Sequence, residues 1–236
     1  MNFDLQFEYT PAQLEIFPPA NEWNDFKWRF RIVPKGRRTG ITQGAEKAII
    51  EYALEGISPV LWVDTINGNI DRYFERYFRP DLKKLPEGWW RWNANKRVLE
   101  IMNVEGAWSI IDFRSADNPE SIEGFGYKLI FLNEAGIILA DDYLYSRAIL
   151  PMLLDYPDSR LIAAGVPKGK TKKDGTNHKF YDLYLKAEAG SSGYSLLEYS
   201  SYDNPLLNPS DIEEIIAELS PAEAEQEIFG RFVDMT

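Results

Sequence analysis

Strand-like apolar runs alternate with amphipathic segments along most of the chain. The runs lie at 28–34, 59–65, 128–133 and 159–165, and the last two are continuous apolar stretches of the kind buried in parallel sheets. A helix-like segment, QGAEKAIIEYALEG, follows the first run, and IDRYFERYF, with aromatic residues three and four apart, follows the second. This alternation predicts an α/β fold with a mostly parallel sheet and helices on both faces.

A hairpin is expected where RVLEIMN and AWSIIDF flank the short connection VEG. The aromatic stretch Glu87–Asn93 is interpreted as a patch under a loop or at an interface. The aromatic residues of IDRYFERYF, Tyr73, Phe74, Tyr77 and Phe78, are expected in the core.

Two short helices are predicted near the C-terminus. Asp211 is expected to cap the first, and Pro221 opens the second directly after Ser220. We therefore predict one large domain at residues 1–205 and a small helical C-terminal appendage at 206–236.

Composition narrows the classes of protein. Of the 236 residues, 44% are hydrophobic and 14% are aromatic, which is enough for a large core. Lys and Arg total 26 against 37 Asp and Glu, so the formal charge of −11 argues against a surface built to coat nucleic acid, and any phosphate contact must be local. The absence of cysteine excludes disulfides, thiol catalysis and cysteine-based zinc sites. With neither a signal peptide nor a membrane span visible, the chain is expected to be cytosolic.

The segment VPKGRRTGITQGAEKAII, residues 33–50, resembles a phosphate-binding loop that lacks its usual lysine. The pattern G-x-x-x-x-G-K-[ST] would place lysine where Ile41 stands. Gly36 and Gly40 allow the backbone to curl so that its N–H groups face phosphate oxygens, and the following helix adds the positive end of its dipole. The Thr42 hydroxyl is placed to hold Mg²⁺. The plainer alternative is a glycine-containing basic turn.

Two other strand ends carry candidate chemistry. Glu134 ends a buried apolar run, where a carboxylate is costly unless it is paired or functional, so it is the leading candidate to orient or deprotonate a water. The alternative is a carboxylate near a helix N-cap. Gly165 ends the next run, where a γ-phosphate sensor could lie. The loop Lys168–Thr176, with two glycines and four lysines, is interpreted as a solvated basic loop more readily than as a nucleic-acid contact.

The ordered set of segments resembles the ATPase domain of the phage terminase large subunit, the motor that packs DNA into proheads. The segments are YTPAQLEIF, the loop, PVLWVDTINGNIDRYF, SIIDFRSADNPESIEGFGYKLIFLNEAG, LIAAGVPKG, YDNPLL and EQEIFGRFVD. The resemblance covers nearly the whole chain and depends on the order of the segments, since no single motif is decisive. It implies a P-loop NTPase fold of the additional-strand catalytic-glutamate type. Family members continue into a nuclease domain, which we expect to be absent from this chain.

The resemblance also implies roles for individual residues. Gln13 corresponds to an adenine-contacting glutamine, Glu134 to the catalytic glutamate, and Asn204 lies in a DNP element before the last helices. The implied ATP-binding residues are Gln13, Lys35, Gly36, Arg37, Arg38, Thr39, Gly40, Ile41 and Thr42. The residues in the motif that couples hydrolysis to motion are Gly165, Val166 and Pro167. The residues implied at Mg²⁺ are Thr42 and Asn133.

The chain departs from the family pattern at four positions. Ile41 takes the lysine position, and Asn133 takes the Walker B aspartate position, which removes a negative charge near Mg²⁺. Val166 stands where a threonine is usual. Glu123 stands where members commonly carry an arginine that acts across the subunit interface. A carboxylate there would repel a phosphate by several kcal/mol at low effective dielectric, so Glu123 is excluded as an arginine-finger equivalent.

Relocated charges could restore part of what is missing. Some terminases carry the loop lysine at the start of the loop, and Lys35 occupies that place, with a side chain long enough to curl back over a β- or γ-phosphate. Arg37 and Arg38 could add positive charge. No adjacent residue replaces the aspartate at Asn133, and Asp112 and Asp64, at other strand ends, are the two candidates for its charge.

Three functions are compatible with these residues. The first is an ATP-hydrolysing motor that uses ATP and Mg²⁺ to move double-stranded DNA into a prohead in the host cytoplasm. Its expected partners are DNA through local basic loops, the portal protein, the small terminase subunit, and copies of itself in a ring, with a monomer when alone. The second is a degenerate P-loop scaffold that binds nucleotide weakly and serves assembly. The third is a helicase-like translocase of another family, although the run SADNPESIEG favours the terminase.

Overall fold

The computed structural model describes residues 5–25, 27–122 and 124–234. Glu123, excluded above as a finger residue, lies outside the described residues. The strands are β1 (Phe30–Pro34), β2 (Val60–Asp64), β3 (Trp90–Asn93), β4 (Val98–Met102), β5 (Trp108–Ser115), β6 (Leu129–Asn133), β7 (Arg160–Gly165) and β8 (Tyr194–Leu196).

All of these strands belong to one sheet in the order β3-β4-β5-β2-β6-β7-β1-β8. The pairs β3–β4 and β4–β5 are antiparallel, and every other neighbouring pair is parallel. One further strand, β7, lies between β1 and β6. The loop after β1 and the acidic turn after β6 therefore emerge at the same edge of the sheet, where ligands bind in open α/β folds.

Helices connect the strands. They are α1 (Pro11–Ile16), α2 (Ile41–Leu54), α3 (Asn67–Tyr73), α4 (Arg79–Leu82), α5 (Ala135–Ile138), α6 (Lys179–Glu188), α7 (Pro209–Ala217) and α8 (Pro221–Glu227). A π-helical turn, Phe74–Phe78, joins α3 to α4, and a second π-helical segment spans Leu144–Ile149. No helix among the described residues is long and apolar enough to cross a membrane.

The sheet separates two hydrophobic cores, because successive side chains of a strand point to opposite faces. In β2, Trp62 packs into the core beneath α1 and α2, whereas Leu61 and Val63 pack into the core formed with α5 and α6. The strands β2, β6 and β7 are buried along their whole length, as the continuous apolar runs predict. Helices on both faces of a mostly parallel sheet confirm the predicted α/β fold class.

Local predictions had mixed outcomes. The hairpin is confirmed as β4 and β5, and α8 begins at Pro221, directly after Ser220, as predicted. The expected cap of α7 was wrong, because Asn208 caps it and Asp211 lies in its first turn. The stretch Glu87–Asn93 contains the edge strand β3, which the interpretation as an aromatic patch missed.

Candidate active site

The loop between β1 and α2 has the backbone expected of an anion site. Gly40 precedes α2 with φ of 80°, a left-handed conformation that suits glycine, and no side chain caps the helix there. Among the described residues, no side chain accepts a hydrogen bond from the first N–H groups of α2, and these groups, with the helix dipole, favour an anion. Within the loop, Thr39 and Ile41 are buried.

Lys35 and Glu134 face each other at the edge of the sheet. The Lys35 ammonium lies 3.8 Å from a Glu134 carboxylate oxygen, and the Lys35 side chain is only 7% exposed. Burial lowers the pKa of Lys35, and the charge of Glu134 opposes that shift. The lysine at the start of the loop therefore reaches the candidate catalytic carboxylate.

Glu134 has an unusual backbone for a residue with a side chain. It is left-handed, with φ of 74° and ψ of 57°, at the junction between β6 and α5. Such conformations cost about 1–3 kcal/mol outside glycine and persist only where surrounding contacts fix them. Here the Glu134 N–H donates to the Ala164 carbonyl at 3.0 Å, and the Glu134 carbonyl accepts from Ile137 and Ile138.

A chain of hydrogen bonds links the loop to β6 and β2. The Thr42 hydroxyl donates to Asn133 Oδ1 at 3.0 Å, and Asn133 Nδ2 donates to Asp64 Oδ2 at 2.9 Å. Asp64 also accepts from the indole N–H of Trp62 at 3.1 Å and from the backbone N–H of Thr65 at 2.8 Å. Burial raises the pKa of Asp64, the three hydrogen bonds lower it, and the charge of Glu134 raises it.

The sequence left Asp112 and Asp64 as alternative sources of negative charge near Asn133. Asp64 is fully buried beside Asn133. Asp112 instead accepts a hydrogen bond from the Tyr127 hydroxyl at 2.7 Å and lies 3.8 Å from the Arg114 guanidinium. Only Asp64 contacts the candidate site.

The polar groups near Thr42 suit a magnesium ion that arrives with a nucleotide. Thr42 and Asn133 offer hard oxygen atoms, which Mg²⁺ prefers. Within residues 5–25, 27–122 and 124–234, no three His, Asp or Glu side chains form a group able to hold a metal ion. Mg²⁺ commonly keeps water and binds through one or two protein groups and substrate phosphates, so this sparse donor set fits it.

Gln13 is buried and bonded at both ends of its amide. Its Nε2 donates to the Gly40 carbonyl at 2.7 Å, and its Oε1 accepts from the Thr10 backbone N–H at 2.8 Å. This side chain therefore ties α1 to the end of the loop. A contact between Gln13 and adenine stays a prediction.

The C-terminal segment holds the outer side of the loop. The backbone N–H of Arg37 donates to the Glu227 carbonyl at 2.8 Å, and the Arg37 guanidinium pairs with the Glu227 carboxylate. Gly36 lies so close to Ile228 that an added Cβ would overlap the Ile228 carbonyl. The backbone of Arg38, with φ of 60°, is held by a 2.8 Å hydrogen bond from Asn204 Nδ2 to its carbonyl.

The predicted coupling residues lie against the turn that follows Glu134. A Cβ on Gly165 would lie 2.6 Å from the Ala135 nitrogen, so only glycine allows this approach. Val166 is buried, and its carbonyl packs against Gly136. Pro167, which continues this segment, is also buried. A displacement of the end of β7 would therefore displace α5 through direct backbone contact.

These elements surround a cleft of about 450 Å³. The predicted residues that line it are Lys35, Arg37, Arg38, Thr39, Gly40, Ile41, Thr42, Glu134 and Val166. Gly36 and Gln13 are not among the lining residues: Gly36 lies against the Ile228 carbonyl, and Gln13 donates to the Gly40 carbonyl. The cleft is large enough for a nucleotide phosphate chain and part of the nucleoside.

The opposite wall of the cleft was missed by the sequence analysis. Arg72, Tyr73, Arg76 and Tyr77 line it from α3 and the π-helical turn. The prediction that all four aromatic residues of this segment lie in the core was correct for Phe74 and Phe78 only, since Tyr73 and Tyr77 remain partly exposed. The available signal was an Arg-Tyr pair that occurs twice, at Arg72-Tyr73 and Arg76-Tyr77. Because the two pairs are four residues apart, they lie on the same face of a helix.

No family model and no curated protein sequence matches the chain. Several solved structures do. The large terminase ATPase domain of Thermus phage P74-26 has a TM-score of 0.74 at 19% identity, and the match covers 97% of this chain and 96% of that one.

Two longer proteins are also similar. The large terminase of a thermophilic bacteriophage, solved in complex with ATP-γ-S, has a TM-score of 0.70 at 14% identity, with 96% of this chain and 53% of that chain covered. The HK97 bacteriophage large terminase has a TM-score of 0.71 at 12% identity, with 96% and 51% covered. The chain thus spans about half the length of these two proteins. At such identities the likeness concerns the fold: this chain has the fold of phage large terminase ATPase domains.

Proposed function

We propose that the chain is the ATP-hydrolysing motor domain of a viral DNA-packaging terminase large subunit, which couples hydrolysis to translocation of double-stranded DNA into a prohead. The observation that carries the proposal is the convergence of Lys35, Glu134 and Thr42 on one cleft beside the uncapped start of α2. The fold supports it, and one of the similar structures contains ATP-γ-S. In this proposal the ATPase domain spans residues 1–205, and 206–236 form the helical appendage.

The chain's own groups would divide the work of phosphoryl transfer. The Lys35 ammonium and the first N–H groups of α2 bind and neutralise the β- and γ-phosphates. Glu134 orients the attacking water and accepts its proton. When bound, Mg²⁺ neutralises phosphate charge, and Thr42 and Asn133 would hold it. Arg72 and Arg76 lie on the opposite wall of the cleft. Their positive charge would compensate for the loop lysine and the arginine finger that family members usually carry.

The proposed partners follow from the same role. Double-stranded DNA would be contacted through local basic loops. The portal protein and the small terminase subunit would bind the assembled machine. Copies of the chain would form a ring on the prohead in the host cytoplasm, and the isolated chain would be a monomer.

A degenerate P-loop scaffold is the second candidate. It is favoured by the buried Ile41 in the lysine position and by the ion pair that engages Arg37 with Glu227. Such a protein would bind nucleotide weakly, would not turn it over, and would serve assembly of the packaging machine.

Calorimetric titration of ATP with Mg²⁺ into the wild type and Lys35→Ala separates the two candidates. The motor proposal predicts micromolar binding by the wild type that is lost in Lys35→Ala, because the buried ammonium is the loop's remaining lysine. Lys173→Ala, which removes an exposed lysine from another loop, is the matched control and should bind as the wild type does. Equal affinity in wild type and Lys35→Ala would refute the relocated-lysine mechanism and make Arg37 or Arg38 the candidate.

A further inference from the structure

The buried carboxylate of Asp64 lies next to Asn133, the neutral residue in the Walker B position. Asn133 has no charge, but its amide donates to Asp64 at 2.9 Å. We propose that Asp64, on the neighbouring strand β2, supplies the negative charge that Asn133 lacks, acting through the Asn133 amide on the Thr42 hydroxyl. This inference rests on the proposed function and makes Asp64 a positioning residue for the magnesium-bound nucleotide.

The polarity of the hydrogen bonds allows only one orientation of the Asn133 amide. A carboxylate accepts hydrogen bonds, so the NH₂ group of Asn133 must face Asp64 and its oxygen must face Thr42. A flipped amide would set an oxygen against the Asp64 carboxylate. The Thr42 proton is then committed to Asn133, which leaves the lone pairs of the hydroxyl for a cation.

The strand order explains how a residue from a distant part of the sequence can take this role. β2 pairs with β6 in parallel register, with Val63 opposite Leu132, so the next residues along the two strands, Asp64 and Asn133, are neighbours. Asp64 is fully buried and takes part in no ion pair within the part of the chain that the structure describes. A buried carboxylate without a cation is costly, and a cation held at Thr42 would offset that cost.

Asp64 also has bonds that could be purely structural. It accepts from Trp62 and from the Thr65 backbone, so its loss could disturb the end of β2 without any effect on a bound ion. The test therefore needs one variant that removes the negative charge and a second that moves it to the neighbouring position. Asp64→Asn removes the carboxylate at nearly constant volume, and the double variant Asp64→Asn with Asn133→Asp transfers it to the neighbouring position.

The measurement is ATP affinity by calorimetry, with Mg²⁺ and with EDTA, on wild type, Asp64→Asn and the double variant, together with their melting temperatures. We expect Asp64→Asn to lose about 10- to 100-fold of the magnesium-dependent gain in affinity, as for other residues that orient a metal ligand. Affinity in EDTA should be unchanged. The double variant should recover the gain, because the carboxylate then lies beside Thr42.

Two results would overturn the inference. One is a folded Asp64→Asn variant with the full magnesium-dependent gain, and the other is a folded double variant as weak as the single variant. In both cases the wild type still binds ATP, so the proposed function survives and Asp64 is structural. Failure of the wild type itself to bind ATP would remove the proposed function, and the inference with it.

Discussion

At the scale of single residues, Glu134 combines a strained backbone with a side chain that faces Lys35. Its left-handed conformation is fixed by hydrogen bonds from both neighbouring elements, and its carboxylate faces the buried Lys35. The ion pair with Lys35, at 3.8 Å, holds the Glu134 side chain at the wall of the cleft. This arrangement suits a group that must place a water accurately.

Glu134→Ala should lose ATP turnover by about 100-fold or more, since general acid–base groups contribute about 10²–10⁴-fold. Binding of ATP should be nearly intact, because phosphate binding is assigned to Lys35 and to the start of α2. Steady-state ATPase assays and calorimetry on the same preparation test this. Glu55→Ala, which removes an exposed glutamate after α2, is the control. Turnover by Glu134→Ala comparable with wild type would exclude Glu134 from the mechanism.

Sequence reasoning reached Glu134 and Thr42 because each stands at a fixed offset from an apolar run or a glycine. It could not choose between Asp64 and Asp112, because that choice depends on the order of strands in the sheet and on which neighbours each carboxylate meets. Arg72 and Arg76 were missed for a related reason. Which face of a helix lines a cleft is decided by packing against other elements, and periodicity alone does not show it.

At the scale of elements, the loop and α8 are packed without spare volume. An added Cβ on Gly36 would overlap the Ile228 carbonyl oxygen, and one on Gly230 would lie 2.7 Å from the Lys35 Cα. Two glycines in separate segments therefore allow the backbones to touch. The position of the loop therefore depends on the residues directly after α8 as well as on β1.

Gly36→Ala should destabilise the protein by roughly 1–3 kcal/mol, the usual range for overpacking. The added methyl group would meet a carbonyl oxygen that cannot move without α8. Gly68→Ala is the matched control: its Cβ would meet Ile66 at an ordinary 3.8 Å, and alanine favours the helix α3. Thermal unfolding of both variants tests the prediction. A Gly36→Ala melting temperature equal to that of wild type would mean that the contact is loose.

Elements buried on both faces were the easiest to predict. β6 and β7 appear within one residue of the predicted runs, since continuous burial requires continuous apolar sequence. The edge strand β3 was missed, because Trp92 packs inward against Phe74, with ring centroids 3.9 Å apart, while its neighbours are more exposed. The three-residue β8 carries too few residues for a periodic pattern.

At the scale of the whole molecule, the pH dependence of stability depends on a carboxyl group that is buried in the protein. Glu46 of α2 is 1% exposed. Burial, together with the hydrogen bond and charge of Asp81, raises its pKa from 4.5 to about 10. Between these two pKa values the folded state holds a proton that the unfolded state has released. The free energy of unfolding therefore falls as pH rises through this window.

Glu46→Gln should reduce this dependence, because glutamine keeps the shape and has no proton to release. We expect the variant to gain stability relative to wild type between about pH 6 and about pH 9, by an amount that grows with pH. Urea unfolding at several pH values measures it, with Glu55→Gln as the exposed control. The opposite result would be a variant that is destabilised by the same amount at every pH. It would show that the contacts of the carboxyl group stabilise the fold and that its proton does not set the pH dependence.

The fold class and the order of elements were predictable because alternation of apolar runs and helices constrains an α/β sheet strongly. The walls of the cleft were predictable at the loop itself and at Glu134 and Val166, which directly follow apolar runs. Its remaining parts come from α3, from the π-helical turn Phe74–Phe78 and from Asn204 and Leu207, which lie far from the loop in the sequence. Such long-range contacts leave no local pattern in the sequence.

The contact between Arg37 and Glu227 joins residues 190 positions apart. A protease cut or an engineered truncation after Leu219 would remove a backbone acceptor and an ionic partner from the loop, as well as the wall against which Gly36 rests. Fragments that end before α8 would therefore keep every residue of the loop and lose its shape. Expression boundaries for nucleotide-binding work should be drawn beyond Gly230.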